Sequence, residues 1–445
     1  MKRNKEISPY VIILTSFLVM IFLGGIVLSL PLSTVDGKGT GFIDGIFTAT
    51  SAVCVTGLTI NDVSSSYNLF GKTVILMLIQ LGALGFITFS SMFVLLVTKK
   101  ISYYTKKVVQ EDLNTETLFD IQNYIRKVMI TVFGIEFVGA VFLFFEFIQK
   151  FEFKRAVYYS LFHSISAFCN AGFSLFPDSL MSFKGSAVIN ISVPLLIFFG
   201  GIGFATLMNV YRYFRGKDKR LTTNSKVSIN ISIFLIIAGT ILIFFTEYSN
   251  KLTMGNYTIY EKIGASFFQS VSTRTAGFNT ISLSEMKSST TFLFIILMFI
   301  GASPGSTGGG IKTTTIGLII LGIRNIIDNR EYLEINGRRI NWHNFNKAVA
   351  VITISLTYIT VILFVMTSIE KNMNFENLLF EIVSAFGTVG LTRGITPLLS
   401  DVSKIFIILT MLIGRVGPLT MTLVLISKKL KKGKYKYPEE NLLIG

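Results

Sequence analysis

Four stretches carry residue types at a spacing that could do chemistry: Phe47–Leu58 (FTATSAVCVTGL), Phe162–Phe173 (FHSISAFCNAGF), Phe267–Phe278 (FFQSVSTRTAGF) and Phe380–Leu391 (FEIVSAFGTVGL). In each, a Phe stands ten residues before a Gly that Leu or Phe follows, and the steps between Gly57, Gly172, Gly277 and Gly390 are 115, 105 and 113 residues. Eight Gly-Leu or Gly-Phe pairs occur in the chain, and only these four have the upstream Phe. Glycine adopts backbone angles that other residues resist, so an extended loop built on it can turn successive carbonyls toward one axis. Carbonyl oxygens arranged in that way replace the hydration shell of a cation without adding fixed charge. The oxygens in question belong to Val55 and Thr56, Asn170 and Ala171, Thr275 and Ala276, and Thr388 and Val389; Leu58, Phe173, Phe278 and Leu391 complete the four loops.

Such oxygens are useful only at membrane depth, and the chain is composed for a membrane: 51% of its 445 residues are hydrophobic, 15% are charged and 41 are Phe. A helix needs about 20 apolar residues to cross the hydrocarbon core. The runs Pro9–Leu32, Thr73–Thr98, Gly185–Tyr211, Val227–Thr246 and Ala348–Ile369 reach that length without charge. Val128–Gln149, Ser288–Ile323 and Ile405–Ser427 reach it with one or two ionisable residues each. Eight spans result, two per repeat. The first reads as a retained helix, since its apolar run is too long for a secretory signal and lacks a small-residue cleavage site. The segments that end in the glycines are too short to span and read as re-entrant helices. The irregular backbone after them is tolerated only where it lines water or is buried in protein. Each such helix also aims the negative end of its dipole at the centre, which favours a cation there.

The expected fold is therefore an all-α polytopic membrane protein with four helix, P-loop, helix repeats around one pore. Residues 1–98, 128–212, 227–324 and 348–427 form the repeats, joined by cytoplasmic links 99–127, 213–226 and 325–347 and followed by a tail, 428–445. The net charge of +16 is explained by topology: of 41 Lys and Arg residues, 26 lie in segments 1–8, 98–127, 211–226, 324–347 and 428–437. By the positive-inside rule these are cytoplasmic, which puts both termini inside and opens the loops outward. A lipid bilayer, and no nucleic acid, is the expected partner of this charge pattern. Asp62, Asp178 and Glu285 follow three of the re-entrant segments, either as ordinary loop carboxylates or as collectors of cations. Cys54 and Cys169 read as reduced small side chains, and two distant histidines make no metal site. On the expectation of no H-E-x-x-H motif, no G-x-S-x-G motif and no paired intramembrane aspartates, an enzyme is not expected. A proton-coupled symporter would be expected to show inverted repeats, whereas these are parallel.

Ser288–Ile323 is too long for one straight span, and it must break. Gly301–Gly310 (GASPGSTGGG) marks the break with five glycines and a proline, where helical hydrogen bonding is hardest to sustain. GSTGGGIKT from Gly305 approaches a phosphate-binding G-x-x-x-x-G-K-T, but Ile311 stands where the Lys belongs, and an apolar helix precedes it instead of a strand. No nucleotide is expected on this chain. An intramembrane gate formed by Gly305, Ser306, Thr307, Gly308, Gly309 and Gly310 is the preferred reading. Arg415 lies mid-span, where a charge costs about 2.5–3.5 kcal/mol and must find acceptors, for which the loop carbonyls are natural candidates. Lys312 follows the loop and ranks behind it. Arg274 reads as a brace for its loop, and Glu136 and Glu146 call for buried partners.

The loops VTGL, NAGF, TAGF and TVGL resemble those of the superfamily of potassium transporters that comprises bacterial Trk and Ktr and related plant and fungal carriers. The resemblance covers nearly the whole chain. It implies a potassium-channel-like tetramer fused into one chain, with potassium as the transported ion, sodium as a possible stimulating ion, and a loop in the third inner helix that obstructs the pore and is held by Arg415. In this family Gly in all four loops accompanies potassium selectivity, and sodium-preferring relatives replace the first, so Gly57 argues against a sodium carrier. The chain begins with one helix before its first P-loop, which makes it most like the Ktr membrane subunit. That likeness implies a homodimer in the bacterial plasma membrane on a cytoplasmic ring of nucleotide-binding RCK subunits.

Overall fold

Length and hydropathy decide the first layer. The charge-free Pro9–Ser29 forms helix α1, and Ile121–Phe147, Thr223–Glu247 and Trp342–Ile369 form the somewhat less apolar α4, α8 and α12, each long enough to cross a membrane. They carry Leu18, Phe22, Phe137, Phe245 and Phe364 on exposed faces, as helices bathed in lipid do. The computed structural model describes residues 9–85, 88, 90–91, 103–112, 121–330, 332–335, 337–418 and 421.

Inside the long helices sit four short ones: α2 (Phe42–Val53), α5 (Phe153–Phe168), α9 (Ile259–Ser272) and α13 (Phe375–Gly387). At 12 to 16 residues they are below the length of a span. The third is started by a capping box, with Thr258 and Glu261 each bonding the other's backbone N–H. The inner spans begin as α3 (Leu69–Leu84), α6 (Ala187–Gly201), α10 (Ser288–Phe299) and α14 (Asp401–Val416). The helices Phe204–Phe214 (α7) and Thr313–Ile327 (α11) continue the second and third. Each inner helix packs on the short helix of the next repeat: α3 on α5, α6 on α9, α10 on α13, and α14 back on α2. The last contact closes the circle, and Lys404 on α14 seals it with an ion pair to Asp44 on α2 at 2.8 Å.

Not one but four inner spans are interrupted, which corrects the expectation of uninterrupted runs over Thr73–Thr98, Gly185–Tyr211 and Ile405–Ser427. Helix α3 stops at Gly85 (φ +77°), α14 stops at Gly417 (φ +95°), and α7 leaves α6 at 102° after Gly203 (φ +94°). At the second break a tertiary bond replaces the helical one, since the Phe204 N–H donates to the Gly305 carbonyl at 2.8 Å. The link 325–347 contains an antiparallel hairpin, β1 (Leu333–Ile335) with β2 (Arg338–Ile340). The expected cytoplasmic tail, 428–445, lies outside the described residues.

Candidate ion pathway

The four glycine loops leave their short helices in one way. Two residues before each glycine the backbone turns left-handed, at Val55 (φ +58°), Asn170 (+60°), Thr275 (+77°) and Thr388 (+50°), and the glycines are positive too, at +98°, +69°, +78° and +89°. Left-handed backbone at four non-glycine residues is strained, and such strain persists only where the surroundings enforce it. Here each loop folds back on its own helix end. Thr56, Ala171 and Val389 donate their N–H to the carbonyls of Ser51, Ser166 and Ser384 at 2.7–2.8 Å, and the Ser51 and Ser384 hydroxyls accept from Gly57 and Gly390. Leu58, Phe173, Phe278 and Leu391 turn away into the core and are buried.

In the third repeat the acceptor is Ser272, only five residues before Gly277 instead of six. Phe268 fills the core position that Phe47, Phe162 and Phe380 hold elsewhere, and Phe267 is only partly buried. The spacing of ten in Phe267–Phe278 is therefore a coincidence of two adjacent Phe residues, and the third connection is one residue shorter.

The loops meet around a common centre. A Cβ placed on Gly57 would stand 2.6 Å from the Ala171 carbonyl oxygen, and one on Gly172 2.7 Å from that of Ala276. On Gly277 it would meet the Val389 oxygen, and on Gly390 the Thr56 oxygen, closer still. Each glycine thus faces the carbonyl before the next glycine, and the fourth faces the first. No side chain larger than hydrogen fits this ring. Outside it opens a cavity of about 330 Å³ lined by all four glycines, Asp62, Asp178 and Arg393. Glu285 is absent from that lining. Arg393 is neutralised by Glu376 at 2.9 Å and also donates to the Ser284 carbonyl.

Beneath the ring lies residues 300–312, tied to several repeats at once. Gly309 donates its N–H to the Thr388 hydroxyl at 2.9 Å, and Gly310 donates to the Gly414 carbonyl at 3.2 Å. Thr307 and Ser303 donate to the carbonyls of Gly200 and Gly201, and the Thr307 hydroxyl donates to Phe168. Arg415 donates to the carbonyls of Thr307, Gly82 (2.6 Å) and Ala83 (3.1 Å), spanning from the loop to the first repeat. Lys312 bends back onto the Gly308 carbonyl at 2.8 Å, and the Ser306 hydroxyl donates to Ser303 at 2.5 Å. The stretch Gly301–Gly305 spells G-x-S-x-G, which corrects the expectation that the chain lacks this hydrolase signature. Ser303 shares its hydroxyl with Thr313 at 2.8 Å, and the loop joins two helices instead of a strand and a helix.

Arg274, three residues before Gly277, donates to the carbonyl and hydroxyl of Ser232 on α8 at 3.2 and 3.1 Å. Glu136 accepts from Gln80 at 3.1 Å and lies beside Cys169, while Glu146 is half-buried. Both cysteines are free.

Comparison with known proteins matches residues 7–436 to the family described as TrkH, cation transport protein. The chain belongs to this family. It is 38% identical to the potassium/sodium uptake protein NtpJ of Enterococcus hirae, over 99% of this chain and 98% of that protein. It is also 38% identical to the Ktr system potassium uptake protein B of Bacillus subtilis, over 98% and 97%. The crystal structure of the potassium transporter TrkH from Vibrio parahaemolyticus superposes with a TM-score of 0.71 at 17% identity, covering 96% of this chain and 86% of that one. The protein is thus a multi-pass membrane transporter of the TrkH/Ktr type, and not an enzyme.

Proposed function

We propose that this chain carries potassium ions into the cell through the ring of Gly57, Gly172, Gly277 and Gly390, with residues 305–310 as the gate beneath it. One observation carries the reading: each glycine faces the carbonyl of the residue before the next glycine, in a circuit that closes from the fourth repeat to the first. Oxygens held in that way by strained backbone supply neutral ligands to a dehydrated cation, and the dipoles of four short helices add negative potential at the same centre. The names of the relatives support potassium as the ion. In this reading Arg415 holds the loop through Thr307 and places a positive charge below the ring, so transport requires the loop to move aside. Lys312 adds a second charge at that level.

The proposal extends to a homodimer in the bacterial plasma membrane with both termini cytoplasmic, stimulated by sodium and regulated by a nucleotide-binding RCK ring. Relatives named as subunits of a Ktr system support a partner of that kind. A sodium-translocating carrier is the second reading, since one relative is named for both ions. Growth at limiting potassium of a bacterium stripped of its uptake systems tests the first, with the chain expressed alone and with an RCK subunit, with and without sodium. Rescue enhanced by both additions is expected. Absence of rescue with the protein present in the membrane refutes potassium uptake.

A further inference from the structure

With Phe268 in the core position of the third repeat, a register emerges along the short helices. The residue after each core Phe is Thr48, His163, Gln269 and Glu381, four different polar side chains, all buried. Three of them reach the segment just outside the filter glycine. Nδ1 of His163 lies 2.8 Å from the Tyr159 carbonyl and so carries the proton, leaving Nε2 to accept from the Leu175 N–H at 3.3 Å, beside the Ser174 hydroxyl. Gln269 donates to the Thr280 hydroxyl at 3.4 Å. Glu381 accepts from the hydroxyls of Thr392, at 2.9 Å, and Thr396. Thr48 meets the Tyr67 hydroxyl at 3.3 Å instead.

We propose that Glu381 is a positioning residue of the fourth filter loop, clasping Thr392 and Thr396 so that Gly390 presents its backbone to the ring. The inference rests on the reading of the four loops as a cation filter. A buried carboxyl group is costly unless hydrogen-bonded, and here both oxygens are bonded to hydroxyls of one short segment. Thr392 also accepts from the Gly394 N–H at 3.0 Å, which closes the turn, and it lies two residues past Gly390. The next residue, Arg393, is held by Glu376. The turn beyond the fourth filter is therefore held by two carboxyl groups, Glu381 through Thr392 and Thr396, and Glu376 through Arg393. Gly390, at φ +89°, is held on its helix side by the Ser384 hydroxyl, and Glu381 supplies the matching hold on the turn that follows it.

The test uses the purified full-length chain in liposomes, with potassium uptake measured against potassium concentration and against competing sodium. Glu381→Leu should raise the KM for potassium and lower the potassium-over-sodium preference by at least roughly tenfold each, the change that corresponds to loss of its hydrogen bond with Thr392 alone. Glu381→Gln retains a carbonyl acceptor and should restore most of both values, and Thr392→Val should resemble Glu381→Leu. A role confined to stability predicts less folded protein with wild-type KM and preference per molecule, and that result in Glu381→Leu overturns the proposal. Should that variant fail to fold, Thr392→Val decides, and wild-type values there overturn it equally. If neither the wild-type protein, with or without an RCK subunit, nor Arg415→Gln takes up potassium or sodium, the filter reading itself falls, and the inference with it.

Discussion

Replacing Gly57 by Ser perturbs the ring at its most exposed assumption, that no side chain fits. The glycine sits at φ +98°, where an L residue is strained, and holding a non-glycine residue in such a region costs about 1–3 kcal/mol. The new Cβ would lie 2.6 Å from the Ala171 carbonyl oxygen, where ordinary contact begins at 3.4 Å, so that oxygen must retreat by the difference, 0.8 Å, or the loop must refold. Either response moves a proposed ligand. At 1.4 kcal/mol per tenfold, the strain alone corresponds to a factor of roughly 5 to 150 between the wild-type loop and its relaxed alternatives. Potassium-over-sodium preference should fall by at least about tenfold, with sodium now admitted, as measured by uptake of each ion into liposomes. Gly390→Ser should be at least as damaging, since its Cβ would press closer on Thr56 and lie 2.8 Å from the Gly57 Cα. Gly134, in α4 with nothing within 4 Å of its Cβ position, supplies the control, and Gly134→Ser should transport as the wild type does. Wild-type preference in a folded Gly57→Ser protein would refute the ring as the seat of selectivity.

Two further outcomes are expected. Arg415→Gln removes a charge-assisted donor from the Thr307 carbonyl, worth about 1.5–3 kcal/mol, so the ratio of held to released loop should drop by about 10- to 150-fold, and transport without regulator should rise; unchanged flux and regulation in liposomes would eliminate the latch. Glu376→Gln frees the Arg393 charge at the vestibule mouth, and the potassium KM should rise several-fold at low ionic strength but recover near 1 M salt, where screening acts within about 3 Å; an effect indifferent to salt would show that the pair acts through packing instead.

Each of these perturbations acts on a residue whose importance was legible to a different degree. Gly57, Gly172, Gly277 and Gly390 stood out because a backbone requirement is local, and glycine satisfies it wherever it occurs. The interruption of Ser288–Ile323 was legible for the same reason, five glycines and a proline in ten residues of a run too long to stay straight. Arg415 was marked by the cost of an ion at membrane depth. By contrast, Gly85, Gly203 and Gly417 gave no warning of a break, because a single glycine in an apolar helix is tolerated unless something outside the helix takes over its hydrogen bonds. At Gly203 that partner is Gly305, which lies a hundred residues further along. The spacing of ten falls on Phe267 while Phe268 fills the core, because only packing distinguishes two adjacent Phe side chains. Glu381 is not legible in the sequence, because its counterparts Thr48, His163 and Gln269 differ from it in type, and only His163 and Gln269 share its contact with the segment outside the glycine.

The membrane class, the fourfold loop, the glycines and the weak point of the third inner helix are written in the amino-acid order, since hydropathy, chain length and backbone freedom belong to residues and their near neighbours. Tertiary structure alone decided which carbonyl faces which glycine, where the inner helices stop, and what Arg415, Glu136 and Glu381 bind. Those are choices among partners far apart in the chain, and they are made only when four repeats close on one another and each buried polar group has to find the acceptor or donor that its neighbours leave within reach.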